Sequence, residues 1–118
     1  MVYSKLIQPI LDAKCNGCHD EAKTKGKLRT DTYELLMQGG QDTVKTIIPG
    51  NVEGSLAIIR IELPKEEDEH MPPENKDQMT PEELALLKAW IAAGASNTQT
   101  LKEAKFPPAL QPTIDALL

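Results

Sequence analysis

One pentapeptide near the start of the chain restricts its possible folds more than any other feature. Residues 15–19 are Cys-Asn-Gly-Cys-His, the pattern C-x-x-C-H, and its two cysteines are the only two of the sequence. Two thiols at this spacing at a helix end can each form a thioether with one vinyl group of a haem, and the next histidine is then carried under the iron. We therefore predict one haem c per chain, bound covalently through Cys15 and Cys18, with His19 as the proximal iron ligand.

Two other kinds of cysteine site compete with this interpretation. A thioredoxin-like dithiol needs strands and helices around it, and the sequence has no sustained period-two alternation of apolar residues. A zinc site could use Cys15, Cys18 and His70, but the usual second pair of ligands is missing. A disulfide between the two cysteines would close a very small loop and constrain the chain little. The sequence therefore favours haem attachment.

Composition is consistent with a core that contains a non-protein group. Apolar residues make up 40% of the chain, but aromatic residues make up only 3%, namely Tyr3, Tyr33, Trp90 and Phe106. Large rings normally dominate core area, so this domain needs aliphatic side chains or a cofactor at its centre. The net charge of −5 argues against nucleic acid as a partner, because phosphate binding needs a basic face. No apolar run approaches the ~20 residues of a membrane span.

Hydrophobic periodicity predicts an all-α fold. An amphipathic helix is expected over residues 3–14, where Pro9 makes it either start near Gln8 or bend. Three further helices are expected. The first follows Asp31 and ends at Gly39-Gly40. The second follows Ser55 over residues 56–63, with Leu56, Ile59 and Leu63 on one face. The third follows a Thr80–Glu83 capping box and stops at Gly94.

The sixth coordination position of a haem iron would need a second ligand. Met71 is followed by two prolines, which exclude a helix and leave an extended segment that can hold a thioether over the ring. Met79 precedes the last helix, where packing on Leu84 is a sufficient structural role for it. Met37 lies on a short helix as a core residue. His70 is a further candidate, and it is equally natural as a solvated side chain. From the residues alone, Met71 is preferred, while Met79, His70 and an open site remain alternatives.

These features together resemble the class I cytochrome c fold, and most closely the planctomycete-type cytochrome c domain of bacterial multidomain proteins. The resemblance covers residues 3 to 96 and departs from the family at Asp20, where a glycine often follows the attachment motif. The matching stretches are Pro9–Leu11, Cys15–His19, Gly26–Arg29, Gly39-Gly40, Ile48–Gly50 with Ser55-Leu56, Met71–Pro73 and Leu87–Ala95.

The resemblance implies a small all-α domain, with three to five helices and long loops wrapped around one covalently bound haem. It implies that His19 and Met71 are the axial iron ligands. We expect a haem domain over residues 1–97 and a tail over residues 98–118 that is a linker or a docked extension. Haem c is attached outside the bacterial cytoplasm, so the resemblance implies a periplasmic or otherwise extracytoplasmic location. No signal peptide precedes the first helix, which by itself allows a cytoplasmic chain or a processed or excised piece of a longer protein. With the extracytoplasmic location that the resemblance implies, we expect the second.

Residues around the ring can be predicted on the same basis. Arg29 and Arg60 are candidates to pair with the haem propionates, because a guanidinium matches a carboxylate with two hydrogen bonds. In class I folds the first and last helices cross, so a core contact is expected for Trp90 together with Leu6 and Ile10. The aliphatic residues expected to wall the haem are Leu28, Ile48, Leu56, Ile59, Leu87 and Ile91. Trp90 is expected among the cofactor-binding residues as well, although a core role is preferred for it over a redox role.

The leading functional hypothesis is one-electron transfer through haem c with His/Met ligation. We expect no enzyme activity of the domain itself, because a six-coordinate iron has no free position for a substrate. The alternatives are the electron-relay module of a larger periplasmic oxidoreductase, a haem-based redox or gas sensor with an open sixth site, and a structural zinc module. The expected partner is a redox protein or a neighbouring domain, in a full-length protein that could be tethered to a membrane.

Overall fold

The structure, a computed structural model of the 118-residue chain, describes residues 1–15, 28–40 and 44–118. These ranges contain helices and no β-strand, in agreement with the predicted all-α class. None of the helices within them has the length and apolar character needed to cross a membrane. The α-helices are α1 Gln8–Lys14, α2 Tyr33–Gln38, α3 Leu56–Glu62, α4 Pro81–Ala92, α5 Leu101–Ala104 and α6 Gln111–Leu117. The described ranges thus contain six α-helices, more than the expected three to five, because the tail adds α5 and α6.

Pro9 lies next to a change of helix type. Helix α1 starts at Gln8, as one of the two predicted possibilities had it, with Pro9 in its first turn, and helical backbone precedes it without a break. The residues before it form a π-helical turn, Tyr3–Ile7, and the Gln8 N–H donates to the Tyr3 carbonyl oxygen. This turn carries the buried side chains of Tyr3, Leu6 and Ile7.

The start of α2 differs from the prediction by one residue. Thr32, and not Asp31, is the N-cap, and its hydroxyl oxygen accepts a hydrogen bond from the Leu35 N–H at 3.2 Å. Asp31 instead binds the Arg29 guanidinium through two hydrogen bonds, of 2.6 and 3.1 Å. Both residue types can act as N-caps, and here Thr32 caps the helix while the Asp31 carboxylate binds the arginine.

Helix α3 begins after Ser55, as predicted, but the Ser55 hydroxyl does not cap it. The hydroxyl is fully buried and accepts a hydrogen bond from the Ile48 N–H at 2.8 Å. It donates to the Asn51 carbonyl oxygen at 2.8 Å. Ser55 therefore ties the turn at residues 48–51 to the start of α3.

Helix α4 follows its sequence signals closely. The Thr80 hydroxyl accepts a hydrogen bond from the Glu83 N–H at 3.0 Å, and the Glu83 carboxylate accepts one from the Thr80 N–H at 2.8 Å, which completes the predicted capping box. The helix stops before Gly94, whose φ of +108° is a conformation that favours glycine. Each signal depends on residues at its own end of the helix, so it can be read from the local sequence.

Three of the four aromatic side chains pack together between the N-terminal turn and α4. The ring centroids of Tyr3 lie 5.1 Å from Tyr33 and 5.4 Å from Trp90. The Trp90 indole N–H donates to the Ser96 carbonyl oxygen at 2.8 Å, and the Tyr33 hydroxyl donates to the Ala95 carbonyl oxygen at 2.9 Å. The predicted core role of Trp90 is confirmed, and the chain that follows α4 is fixed to the aromatic cluster by both hydrogen bonds.

Tyr3 is the most deeply placed phenol of this cluster. Its hydroxyl donates to the Gln8 side-chain oxygen. Burial raises the pKa of Tyr3 far above its usual value, and the charge of Asp12 adds to the effect. The phenol therefore stays protonated and serves as a hydrogen-bond donor.

The tail after residue 97 contributes to the same core. Ile114 on α6 is 2% exposed and belongs to the main hydrophobic cluster, and the Val2 N–H donates to the Gln99 carbonyl oxygen at 3.0 Å. A groove on this side is lined by residues from both chain ends, among them Met1 and Leu118. The division of the chain at residue 97 stays a prediction.

Candidate functional site

A large, mainly apolar cavity is lined by Leu87 of α4, whereas Trp90 of the same helix packs in the aromatic cluster. Its volume is about 600 Å³, within the range of roughly 300–1,000 Å³ that organic ligands occupy in proteins. Its walls come from the end of α1, from α2 and the residues on either side of it, from α3 and from α4. The proline-containing segment, residues 71–77, completes the described lining. The described aliphatic side chains that line it are Leu11, Leu28, Leu36, Ile47, Leu56, Ile61 and Leu87.

Two sulfur-bearing side chains lie in this lining. Cys15 is the C-cap of α1, where its N–H donates to the Leu11 carbonyl oxygen at 2.8 Å, and its side chain is partly buried. Met71, which is also partly buried, lines the same cavity from the proline-containing segment. The other two members of the predicted ligand set, Cys18 and His19, lie outside the described residues. The structure thus brings together the first cysteine of the motif and the preferred methionine.

The alternative donors for the sixth position lie elsewhere. Met37 and Met79 pack against the hydrophobic core, and neither is among the described residues that line the cavity. His70 is 5% exposed, so it is not the solvated side chain that the sequence equally allowed. Its two ring nitrogens lie 2.7 Å from the Leu63 carbonyl oxygen and 2.6 Å from the Gln78 side-chain oxygen. Of the three candidates for the sixth position, Met71, Met79 and His70, Met71 alone is among the described residues that line the cavity.

The predicted walls agree with the lining in part. Leu28, Leu56 and Leu87 line the cavity, whereas Ile48 and Ile91 are absent from its described lining and Ile47 is present in it. Trp90 lies in the aromatic cluster instead.

Helix α3 differs most from the prediction, because Ile59 is 42% exposed and does not line the cavity. The cavity face carries Ala57 and Ile61, together with Leu56 and Arg60. Each of these pairs is separated by four positions, and residues four apart share a helix face.

The two predicted arginines occupy different places. Arg60 lines the cavity, together with Lys14 and Lys76. Arg29 is not among the described lining residues, and its guanidinium binds Asp31. The Arg29 hydrogen bonds hold the pKa of the Asp31 carboxyl below its usual value. Basic side chains are therefore present at the cavity, but their identity differs in part from the prediction.

Gln78 is a further residue near the site, and it is not among the predicted site residues. Its side chain bridges His70 and the segment that carries Met71, with its amide nitrogen 2.8–3.1 Å from three carbonyl oxygens. A lone glutamine ahead of a helix N-cap has no recognisable pattern, so no sequence signal could have identified it. The described residues also contain no group of three or more His, Cys, Asp or Glu side chains that could hold a metal ion, and the zinc alternative is otherwise untested.

A family model described as planctomycete cytochrome C matches residues 15–75 of the chain. No curated protein and no solved structure gives a significant match. The matched region begins at the first cysteine of the attachment motif, includes Met71 and spans more than half of the 118 residues. The chain therefore belongs to the planctomycete cytochrome c family.

Proposed function

We propose that this chain is a one-electron carrier that binds haem c through Cys15 and Cys18, with His19 and Met71 as the axial iron ligands. The family is one of haem-based electron carriers rather than enzymes in their own right. One observation carries the finer assignment: Cys15 and Met71, far apart in the sequence, line the same apolar cavity. This arrangement is the one expected when a thioether-attached ring lies between the motif and its sixth ligand.

The residues of the cavity fit a haem. Its aliphatic lining suits a flat apolar ring, and its volume is in the range for an organic ligand. A thiol and a thioether supply an attachment point and a soft ligand for iron. Arg60 and Lys76 line the same cavity and could pair with carboxylates. We propose Arg60 for the propionates and do not extend this role to Arg29, because Arg29 binds Asp31.

The chain's own residues would then control the electron-transfer properties. Haem c supplies an iron that gains and loses one electron. His19 would hold the iron from one side, and the Met71 sulfur would favour the ferrous state and raise the reduction potential. Leu28, Leu56 and Leu87 would keep water away from the ring, which acts in the same direction. No side chain has to accept or release a proton in this scheme.

The location and domain organisation are part of the same proposal. Cytochrome c domains are typically extracytoplasmic, and we propose the periplasm for this one. We also propose that residues 1–97 form the haem domain and that residues 98–118 are an extension docked through Ile114. An electron-relay role inside a larger oxidoreductase would use the same domain and the same ligands.

The attachment can be tested directly. The chain is produced in a host that matures c-type cytochromes, and the absorption spectrum of its pyridine haemochrome is recorded. We expect a haem c spectrum, and haem that stays with the protein through acid–acetone extraction and denaturing electrophoresis. The Cys15→Ala, Cys18→Ala double variant should retain none. Haem that extracts freely from the wild-type protein would refute the covalent attachment.

A further inference from the structure

The Met71 segment, residues 71–77, has few backbone hydrogen bonds of its own. Pro72 and Pro73 have no N–H, so neither can donate one. Two backbone bonds of the segment are present: the Met71 N–H donates to the Arg60 carbonyl oxygen at 3.2 Å, and the Lys76 N–H donates to the Pro73 carbonyl oxygen at 2.9 Å. Residues 74–77 are exposed. A segment with so few backbone bonds needs side chains to fix its course.

The Gln78 side chain provides this support through contacts with the backbone of the Met71 segment. Its amide nitrogen lies 3.1 Å from the carbonyl oxygen of Pro72, 2.8 Å from that of Pro73 and 3.0 Å from that of Lys76. Two N–H groups thus serve three acceptors on the segment that follows Met71 directly. The three contacts also identify the amide nitrogen, because an oxygen in its place would face three other oxygens.

The other end of the Gln78 amide is anchored to α3. Its oxygen lies 2.6 Å from the His70 Nε2, and the His70 Nδ1 lies 2.7 Å from the Leu63 carbonyl oxygen, directly after α3. His70 is buried, so these contacts are shielded from water. Gln78 itself is two residues before Thr80, the N-cap of α4. The Met71 segment is therefore held between the end of α3 and the start of α4 through one amide group.

We infer that Gln78 is a positioning residue that holds Met71 at the cavity wall and so determines how firmly the methionine sulfur occupies the sixth iron position. This inference rests on the proposed function, because it takes Met71 as the iron ligand. Without the Gln78 amide, the segment opens more often and Met71 leaves the cavity more often. External ligands then compete more successfully for the ferric iron.

The experiment uses the holoprotein and two substitutions at this position. Gln78→Leu removes the amide at similar size, and Gln78→Glu keeps an acceptor for His70 but places a carboxylate against three carbonyl oxygens. The measurements are the affinity of the ferric protein for imidazole, the intensity of the methionine-sulfur charge-transfer band and the reduction potential. We expect imidazole to bind about tenfold more tightly to both variants, the effect of losing about 1.4 kcal/mol of loop closure. The band should weaken and the potential should fall.

Two control variants separate positioning from general stability. Gln111→Leu removes the amide that donates to Asp115 on α6, which is the same chemical change away from the cavity. Ile114→Val removes one methyl group from the core and lowers stability without touching the Met71 segment. Neither variant should change imidazole affinity or the charge-transfer band. If Ile114→Val changes them as much as the Gln78 variants do, the positioning role is wrong.

The remaining outcomes distinguish this inference from the proposed function. If the wild-type ferric protein has haem c but no methionine-sulfur charge-transfer band, both the assignment of Met71 as iron ligand and the role of Gln78 are wrong. If the band is present and both Gln78 variants match the wild type, only the role of Gln78 falls. Hydrogen exchange of the wild-type protein gives an independent measurement that needs no variant to fold. The Met71 and Lys76 amides should exchange slowly, and exchange at the unprotected rate would overturn the inference.

Discussion

The aromatic cluster and the cavity both take residues from α4, but they are built differently. On the aromatic side, Trp90 packs on Tyr3 and is surrounded by other side chains, with its indole N–H bonded to a carbonyl oxygen. On the cavity side, Leu87 lines a cavity of about 600 Å³. The aromatic side is therefore complete with protein atoms alone, whereas the cavity side leaves space that the described residues do not fill. The low aromatic content has a local explanation, because the few rings are concentrated on the completed side.

The largest expected effect comes from removing the group that would fill the cavity. In the Cys15→Ala, Cys18→Ala double variant we expect the loss of most cooperative stability, because the attached ring would be buried among apolar side chains in the folded state only. Hydrogen exchange should be fastest on the cavity side, in α3, and slowest in α4 near Trp90. A sharp, unchanged thermal transition of the cofactor-free protein would instead show that the side chains alone make a sufficient core.

Trp90→Ala tests the completed side. It should cost about 3–5 kcal/mol of unfolding free energy, the usual range for truncating a buried tryptophan. Denaturant unfolding of the holoprotein measures this loss. The haem spectrum should stay the same, because Trp90 is not among the described residues that line the cavity. A shifted spectrum or potential in this variant would mean that the two sides are not independent.

Met71→Ala tests the cavity side by removing the side chain that carries the proposed sulfur ligand. It should abolish the methionine-sulfur charge-transfer band of the ferric protein, lower the reduction potential and open the iron to carbon monoxide or cyanide. Met79→Ala is the matched control, because Met79 packs against the core outside the described cavity lining, and it should cost at most a few kcal/mol of packing. If the band is lost in Met79→Ala and kept in Met71→Ala, Met79 is the iron ligand and Met71 is not.

The smallest effect concerns the ion pair before α2. The pKa of Asp31 lies below its usual value of 3.8 because of the Arg29 hydrogen bonds, so the pair stabilises the fold fully above that value. This contribution is lost as the pH falls through the lowered pKa. Asp31→Asn should therefore make stability less dependent on pH below about 4, as measured by urea unfolding at several pH values, without altering the haem spectrum. An unchanged acid dependence would contradict the role of this pair.

Features encoded by neighbouring residues could be predicted from the sequence. The capping box of α4 and the start of α1 at Gln8 depend on residues within one turn of each other. The cavity face of α3 could not be obtained in this way. Ile58, Ile59 and Ile61 are all apolar, and only tertiary packing decides that Ile58 is buried in the core while Ile59 is exposed.

The candidate site shows the same division between local and distant information. The motif and the proline-flanked methionine identify Cys15 and Met71 because each has a distinctive local pattern. The hydrogen bonds of His70 connect it to Leu63 and Gln78, seven and eight positions away. No local pattern marks these partners, and the same holds for Ile114, whose burial depends on the tail folding back onto the core.

Met1 and Leu118 line the same groove, so the first and last residues of the chain lie on the same side of the molecule. Chains whose ends lie close together tolerate circular permutation, provided that the new ends open in an exposed segment. The charged residues 65–69 are exposed and lie outside the helices, so they offer such a point. A permuted chain with a short linker across the groove would begin with the methionine segment and end with α3. The order in which the two halves of the cavity emerge during synthesis would then be reversed, while its three-dimensional walls stayed the same.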